Sequence, residues 1–385
     1  MNFDFDDAQK ALKKQTRDML KAVCPPEVPR RILEGDEPYA GEVWRALIDM
    51  EAPATAIPEQ YGGIGFGYLE LCVIAEELGR SLAPTPFSSS VYLATDAILL
   101  AGSEEQKQEH LPKLAKGESI GTFAYSEGAG ALTAQGLSTL LASGKLTGVK
   151  NPVPDGDVAS LCVVLAASSD GPVLALVDLG GDGVSRRPVE TLDPTRSHAE
   201  ITFDGAPAEV LGAGGDGWAL KDRLFDRAAV LFAMEQLGGA DACLAMAVDY
   251  AKGRYAFGRP IGSFQAIKHK LADLYIKNEL ARANCYYGAW ALSTSTPEAT
   301  APELRTAAAA ARVATIEAYH QAAKENIQTH GGIGFTWESD CHLYYRRSKL
   351  LALALGGARV WKNRLIDALE ASTAKVEQRA EMAHA

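Results

Sequence analysis

Apolar and polar positions along the chain fall into three regimes. In the first, Ala8, Leu12, Met19, Leu20 and Val23 share one face at helical spacing, and Pro25-Pro26 ends the helix they predict. A second helix is predicted from about Tyr68 to Arg80, stopping before Pro84 and Pro86. Near Ile120 the period changes. Leu161–Leu165 and Val173–Val177 are short apolar runs, and Ala199, Ile201 and Phe203 alternate with polar neighbours. Turn clusters such as Asp155-Gly156-Asp157 and Gly180-Gly181-Asp182-Gly183 separate them. The pattern predicts a small antiparallel sheet or barrel of about 100 residues. No helical pattern lies between the strands, which argues against a βαβ arrangement. From Trp218 helical spacing returns, with a small-residue run at Ala307–Ala311. About four or five long helices there predict a bundle. The expected fold is mostly α with a central β-domain: an N-terminal helical domain at 1–117, a β-barrel domain at 118–217 and a C-terminal helical bundle at 218–385.

Composition agrees with that plan. A chain of 385 residues suggests two or three domains at roughly 100–200 residues each. With 47% hydrophobic and 23% charged residues, disordered and fibrous classes are excluded. A net charge of −11 argues against nucleic acid and anionic membrane surfaces as partners. The first ten residues are acidic where a signal peptide needs bases. The most apolar stretch, Ala228 to Val248, contains Glu235, Gln236 and Asp241, so it is expected to be a buried helix. Six cysteines (24, 72, 162, 243, 285 and 341) include no pair at metal or CxxC spacing, so a reduced, cytoplasmic compartment with buried thiols is expected.

Candidate chemistry is sparse. Gly212-Ala213-Gly214-Gly215-Asp216-Gly217 fits GxGxxG, but Pro207 interrupts the approach and only helices follow, so a domain-junction loop is the better reading. No HExxH, close histidine pair or GxSxG elbow exists, leaving metal and Ser-hydrolase sites unsupported; His330 reads as a structural histidine. Two segments are more informative. In Asp249–Gln265 a helix carrying Arg254 and Phe257 is predicted to break at Gly258-Arg259-Pro260, and a new one to start with Ser263 as a cap. An Arg beside a broken helix can clamp a diphosphate; the alternative is a solvated Arg and a core Phe. In Gln328–Phe335 paired glycines let backbone approach a ligand, or simply cap a helix.

Together these segments resemble the acyl-CoA dehydrogenase family of flavoproteins. Pro58-Glu59-Gln60-Tyr61-Gly62-Gly63-Ile64-Gly65 and Gly102-Ser103-Glu104-Glu105-Gln106-Lys107 resemble two further family strings, all four in family order. The resemblance implies helices, then a β-barrel, then a four-helix bundle, in agreement with the periodicity. It implies that a carboxylate removes the α-proton of an acyl-CoA thioester while FAD takes a β-hydride, with electron-transfer flavoprotein as acceptor. FAD lies at a subunit interface in the family. By family pattern Arg254, Phe257 and Gln265 reach the neighbouring subunit's FAD, and Gln328, Gly331 and Gly332 hold its adenosine–pyrophosphate end. Ser126, on the strand before the family's flavin loop, is a further cofactor contact.

Several positions depart from the family. Its usual base, a Glu in a Tyr-Glu-Gly-Thr string, falls on Leu355, and no acid lies between Asp340 and Asp367. The alternative base position is Ala228, and a CoA-contacting Arg is Ala229; Asp226 keeps a family acid and Arg227 is a partial substitute for that Arg. The loop after Phe123-Ala124-Tyr125-Ser126-Glu127 shortens to Gly128–Leu132 and loses its Ser and Asp. The family's Trp-Ile-Thr becomes Pro152-Val153-Pro154, which removes two backbone donors. Residues for the chain's own FAD and acyl-CoA are degraded, and those for a partner's FAD are intact. The expectation is a subunit without a catalytic residue in a heteromer, such as a heterotetramer, beside a homologous base-bearing chain. The run from Gly334 to Tyr344, then Arg346-Arg347, resembles heteromeric members acting on steroid or other bulky acyl-CoAs. Two alternatives stay open: a self-sufficient enzyme using Glu235, seven residues after Ala228, as base; and a non-redox acyl-CoA-binding or lyase member.

Overall fold

The computed structural model describes residues 5–130, 132–213, 216–297 and 299–384, the stretch from 374 by its backbone alone. Asp7–Ile74 and Ser81–Ala228 form one compact unit, here the mixed unit; Ala75–Arg80 and the chain from Ala229 onward form the helical unit.

The mixed unit opens with α1 (Asp7–Val23), α2 (Glu27–Glu34) and α3 (Gly41–Asp49). Pro25-Pro26 ends α1 as expected. Its buried face, however, is Gln9, Thr16 and Leu20, while Ala8 is exposed. Polar Gln9 is buried because its amide donates to Glu70 at 3.0 Å, and Thr16 because its hydroxyl returns to Leu12 O. Next come α4 (Tyr68–Arg80), with the predicted bounds, a π-helical stretch Ser88–Thr95 running into α5 (Asp96–Ala101), and α6 (Glu104–Ala115).

Two of the sequence strings have local structural roles. Ser103 and Gln106 form a reciprocal capping box on α6, and Gln106 Oε1 also accepts from Gly212 N at 2.8 Å. In the other string a Cβ on Gly63 would sit 1.9 Å from Ile57 O, and Tyr61 donates to Glu104 at 2.8 Å.

The sheet comprises β1 (Gly121–Ala124), β2 (Leu140–Ala142), β3 (Lys145–Pro154), β4 (Leu161–Ser168), β5 (Gly171–Asp178), β6 (Val184–Pro188), β7 (His198–Pro207) and β8 (Glu209–Val210), in the order β6-β7-β3-β2-β4-β5-β8 with β1 beside β4. The antiparallel expectation needs correction at two places: β1 and β2 both pair with β4 in parallel. Ala199, Ile201 and Phe203 point into the core with Val164, Ala166 and Ala175, as their alternation predicts. Pro152 is exposed where the β3–β7 register shifts between Lys150 and Val153, a position that tolerates a missing donor.

α7 (Gly217–Gly253) begins in the mixed unit, where Asp216 caps it by accepting from Trp218 N and Ala219 N at 3.1 Å. A Cβ on Gly212 would meet Ala101 O at 1.8 Å and one on Gly217 would meet Val173 backbone at 2.6 Å, so these glycines serve packing at a junction. Gly214 and Gly215 of that string, and Ala131 of the shortened loop, lie outside the described residues.

The helical unit holds the rest of α7, the strand pair β9 (Tyr255–Ala256) and β10 (Arg259–Pro260), then α8 (Gln265–Ser293), α9 (Leu304–His330), α10 (Cys341–Leu353) and α11 (Ala358–His384). The end of α4 meets α7 backbone to backbone. A Cβ on Gly79 would lie 1.8 Å from Glu235 O, and one on Gly238 would lie 1.8 Å from Glu76 O. That closeness buries Glu76, which Arg282 neutralises at 3.2 Å while also pairing with Asp241. Ala307, Ala308, Ala309 and Ala311 are buried along α9, so the small-residue run is what lets its neighbours approach. The stretch Ala228–Val248 is part of α7 and mostly buried, as its polar residues suggest. All six cysteines are free and buried.

Candidate functional site

The candidate site is built where α7 ends. Arg254 N–H still bonds to Tyr250 O at 2.8 Å, and the chain then reverses through β9 and β10. The predicted helix therefore stops before Arg254 and Phe257, a correction of one turn. The turn residues Phe257 and Gly258 have φ of 52° and 79°, the paired left-handed geometry of a two-residue hairpin. Phenylalanine pays about 1–2 kcal/mol for that backbone. It is also 96% exposed, so the core-Phe alternative is overturned. Ile261 N–H closes the hairpin on Arg254 O at 2.8 Å. Ile261 and Ile267 anchor it on Ala247, Ala251, Leu271 and Leu274. Phe264 is the platform: Arg259 stacks on it at 4.0 Å and Phe257 meets it edge-on at 6.2 Å. Ser263 is not the cap of α8; its hydroxyl donates to Pro260 O, and Phe264 occupies the cap position without a side-chain bond. Gln265 opens α8 and is exposed.

The end of α9 lies alongside. His330 stacks on Tyr250 with ring centroids 4.1 Å apart, and its Nδ1 carries a proton toward Asn326 O at 2.9 Å. This bears out its reading as a structural histidine and brings the two segments together, a contact the sequence did not indicate. Gly331 (φ 63°) closes the helix by donating to Ile327 O and Gln328 O. The three following glycine environments differ in a telling way. A Cβ on Gly334 would strike Ile327 O at 2.6 Å, so packing requires it. A Cβ on Gly331 would meet nothing within 4 Å, but its φ favours glycine. Gly332 has φ −56° and ψ −38°, ordinary for any residue, and a Cβ there would also meet nothing within 4 Å. Neither conformation nor packing explains it, which is what a surface shaped for an external ligand requires. Arg254, Gln265 and Gln328 are exposed, and among the described residues their side chains make no hydrogen bond or ion pair. Open glycine backbone and an uncommitted guanidinium fit the pyrophosphate end of FAD.

The other positions are committed elsewhere. Ser126 is half-buried, and its hydroxyl donates to Asn151 O at 2.9 Å. Its neighbour Glu127 pairs with buried Lys150 at 2.7 Å and accepts from Ser138 N and Thr139 N. Burial would raise the Glu127 carboxyl, but these donors outweigh it and hold it near 2, well below the usual range. Arg227 is not a free substitute for the missing Arg. It is buried with two nitrogens on Asp96, at 2.7 and 3.0 Å, while Tyr68 donates to the same carboxylate. Ala228 and Ala229 are fully buried. Glu235, the alternative base, is fully buried and faces buried Arg347 at 3.6 Å, as a structural ion pair would.

Leu355, expected from the sequence to fall at the family's base position, has φ 60° and is 4% exposed. Its turn is pinned by Arg312, which donates to Leu351 O and Ala354 O at 2.8 Å each and to Gln236 Oε1. Arg312 is fully buried, with the rings of Phe232 and Trp361 each 5.9 Å away. Sequence reasoning missed this residue because its partners lie far along the chain.

Family models for the acyl-CoA dehydrogenase N-terminal and C-terminal domains match residues 6–118 and 215–369. Among curated proteins the chain is similar to acyl-CoA dehydrogenase IpdE2 of Mycolicibacterium smegmatis, 34% identical over 357 residues, which cover 92% of this chain and 96% of that protein. Among solved structures it is similar to the ChsE4-ChsE5 complex from Mycobacterium tuberculosis, with TM-score 0.87, 30% identity and coverage of 96% and 99%. It is also similar to a variant of the Tcur3481-Tcur3483 steroid ACAD, with TM-score 0.85, 30% identity and the same coverage. The chain belongs to the acyl-CoA dehydrogenase family, whose cofactor is FAD.

Proposed function

We propose that this chain is the base-less subunit of a heteromeric FAD-dependent acyl-CoA dehydrogenase and completes the FAD site of a homologous, base-bearing partner. The observation that carries the reading is the outward presentation of one side of the site. Phe257 is 96% exposed, and a Cβ on Gly332 would meet nothing within 4 Å among the described residues. The opposite feature supports it too: Leu355 supplies no carboxylate, and Glu235 is buried against Arg347.

FAD, when bound, would supply the acceptor for the β-hydride of the acyl thioester. The tasks of this chain are binding and orientation. Arg254 would neutralise and clamp pyrophosphate through charge-assisted bonds. Gly331 and Gly332 would let the ligand come close to the backbone, with the Gly332 N–H as donor since that of Gly331 closes α9, and Gln265 and Gln328 would add neutral hydrogen bonds. Phe257, held on the Phe264 platform, would cover apolar cofactor surface and exclude water. The α-proton would leave to a carboxylate of the partner. Similarity to a steroid ACAD and to a two-component complex supports a bulky, steroid-type acyl-CoA substrate. Electron-transfer flavoprotein is the proposed acceptor, a cytoplasmic setting is proposed, and the three domain segments are kept as 1–117, 118–217 and 218–385.

The test uses co-expressed subunits. The complex should desaturate acyl-CoA with a dye acceptor, and the chain alone should not. Arg254→Ala in this chain should lower the FAD content of the complex about tenfold at limiting cofactor, the scale of one charge-assisted contact. Turnover by the chain alone, lost in Glu235→Gln, would sink the proposal.

A further inference from the structure

A cationic cluster lies between α9 and α10, two turns before Gln328, with His320, Tyr345 and Lys349 half-buried and Lys324 exposed. Lys349 Nζ is 2.8 Å from His320 Nδ1 and 4.8 Å from the Tyr345 ring centroid. The imidazole and phenol rings are 6.0 Å apart. His320 and Lys324 are four residues apart on α9, and Tyr345 and Lys349 are four apart on α10, so each pair shares a helix face.

An ammonium has donors and no lone pair, so Nδ1 is the acceptor. The imidazole is therefore neutral, with its proton on Nε2. Burial, then Lys349, then Lys324 lower its pKa, and among the described residues no carboxylate acts against them. The acids nearest on α9 are occupied elsewhere: Glu317 by Lys277 at 3.2 Å and Glu325 by Lys270 at 2.8 Å. On α10 Arg346 lies over Trp337 and Arg347 faces Glu235. Lys324 and Lys349 form no ion pair among the described residues. Two cations and a neutral imidazole thus share a patch with no counter-ion among the described residues, in a chain whose net charge is −11.

We propose that His320, Lys324, Tyr345 and Lys349 form a binding site for a phosphoryl anion. Lys324 and Lys349 supply the charge, and His320 Nε2–H and the Tyr345 hydroxyl supply neutral donors. A phosphoryl dianion matches two ammoniums and several donors, whereas one carboxylate would leave an ammonium uncompensated. Anion binding is coupled to a proton, because a bound dianion favours the imidazolium of His320.

The full-length protein tests this by NMR titration of its histidines, with His320 assigned by signal loss in His320→Asn. Millimolar inorganic phosphate should raise the His320 pKa by about half a unit or more over chloride at equal ionic strength. Lys349→Met should abolish that response and, in chloride, raise the starting pKa because a neighbouring cation is gone. A response to adenosine diphosphate and not to free phosphate would assign the phosphoryl group to a nucleotide-type ligand within the same proposal. Identical His320 titration in chloride, phosphate and adenosine diphosphate would overturn it, as would an undiminished phosphate response in Lys349→Met.

Discussion

Two residues of the helical unit, Phe257 and Leu355, hold left-handed backbone at φ 52° and 60° without being glycine. Phe257 sits at the tip of a hairpin, almost wholly exposed, with Phe264 as its neighbour ring. Leu355 is buried, and Arg312 holds the carbonyls of its turn. Strain of this kind persists where surroundings over-determine it, and it concentrates at functional positions. Here the surroundings differ. The Leu355 turn is fixed from within, and its side chain satisfies packing. The Phe257 turn presents apolar surface outward, met at its edge by the Phe264 ring. The contrast separates a buried position whose side chain satisfies packing from an exposed one that, on the proposed reading, is kept for a partner's cofactor.

Four substitutions would break or sharpen that contrast, in falling order of effect. Arg312→Met strips the inner turn of its donors and leaves buried carbonyls unsatisfied; urea unfolding should register a loss of about 3 kcal/mol or more. Asp155→Asn tests an inward carboxylate of the mixed unit. Burial pushes Asp155 up to about 6 despite bonds from Ser89 and Ser197. Because its folded value exceeds the unfolded one, its contribution is full below pH ~4 and lost as pH rises through ~6. The parent should therefore lose roughly 2–3 kcal/mol of stability across that window, and the Asn variant, also suited to its φ of 49°, should lack that slope. Leu355→Gly removes strain but also buried surface, for a net loss of about 1 kcal/mol by the same unfolding measurement.

Gly332→Ala is the smallest in stability and the sharpest in meaning. At an ordinary φ with open space, alanine should stabilise the chain by about 0.4–1 kcal/mol through its unfolded state. The same variant should weaken retention of FAD in the complex, because the methyl group occupies the approach to the backbone. Stabilisation with unchanged FAD retention would remove the main argument that this surface is shaped for a ligand.

Much of the fold was legible because it rests on local signals. Proline pairs ended α1, the bounds of α4 followed from Pro84 and Pro86, and alternation at Ala199, Ile201 and Phe203 identified the inner face of β7. The misses have non-local causes. Parallel pairing of β1 with β4 joins segments about forty residues apart, and no periodicity encodes it. Arg227 reads as an available cation until Asp96 is found beside it, and Glu235 reads as a candidate base until Arg347 is. At the candidate site Arg254, Gln328 and the glycines were legible through motif resemblance. The hairpin was not, since a Phe-Gly turn is a rare choice for paired positive φ and the helical period ran on into it.

On the proposed reading this chain presents half of an FAD site for another subunit. Its most direct test is the visible spectrum of the full-length chain purified alone, with FAD counted per subunit. The expected result is an essentially colourless protein that becomes yellow, with stoichiometric FAD per partner, when co-purified with a base-bearing relative. A stoichiometric yellow protein from the chain alone would contradict it.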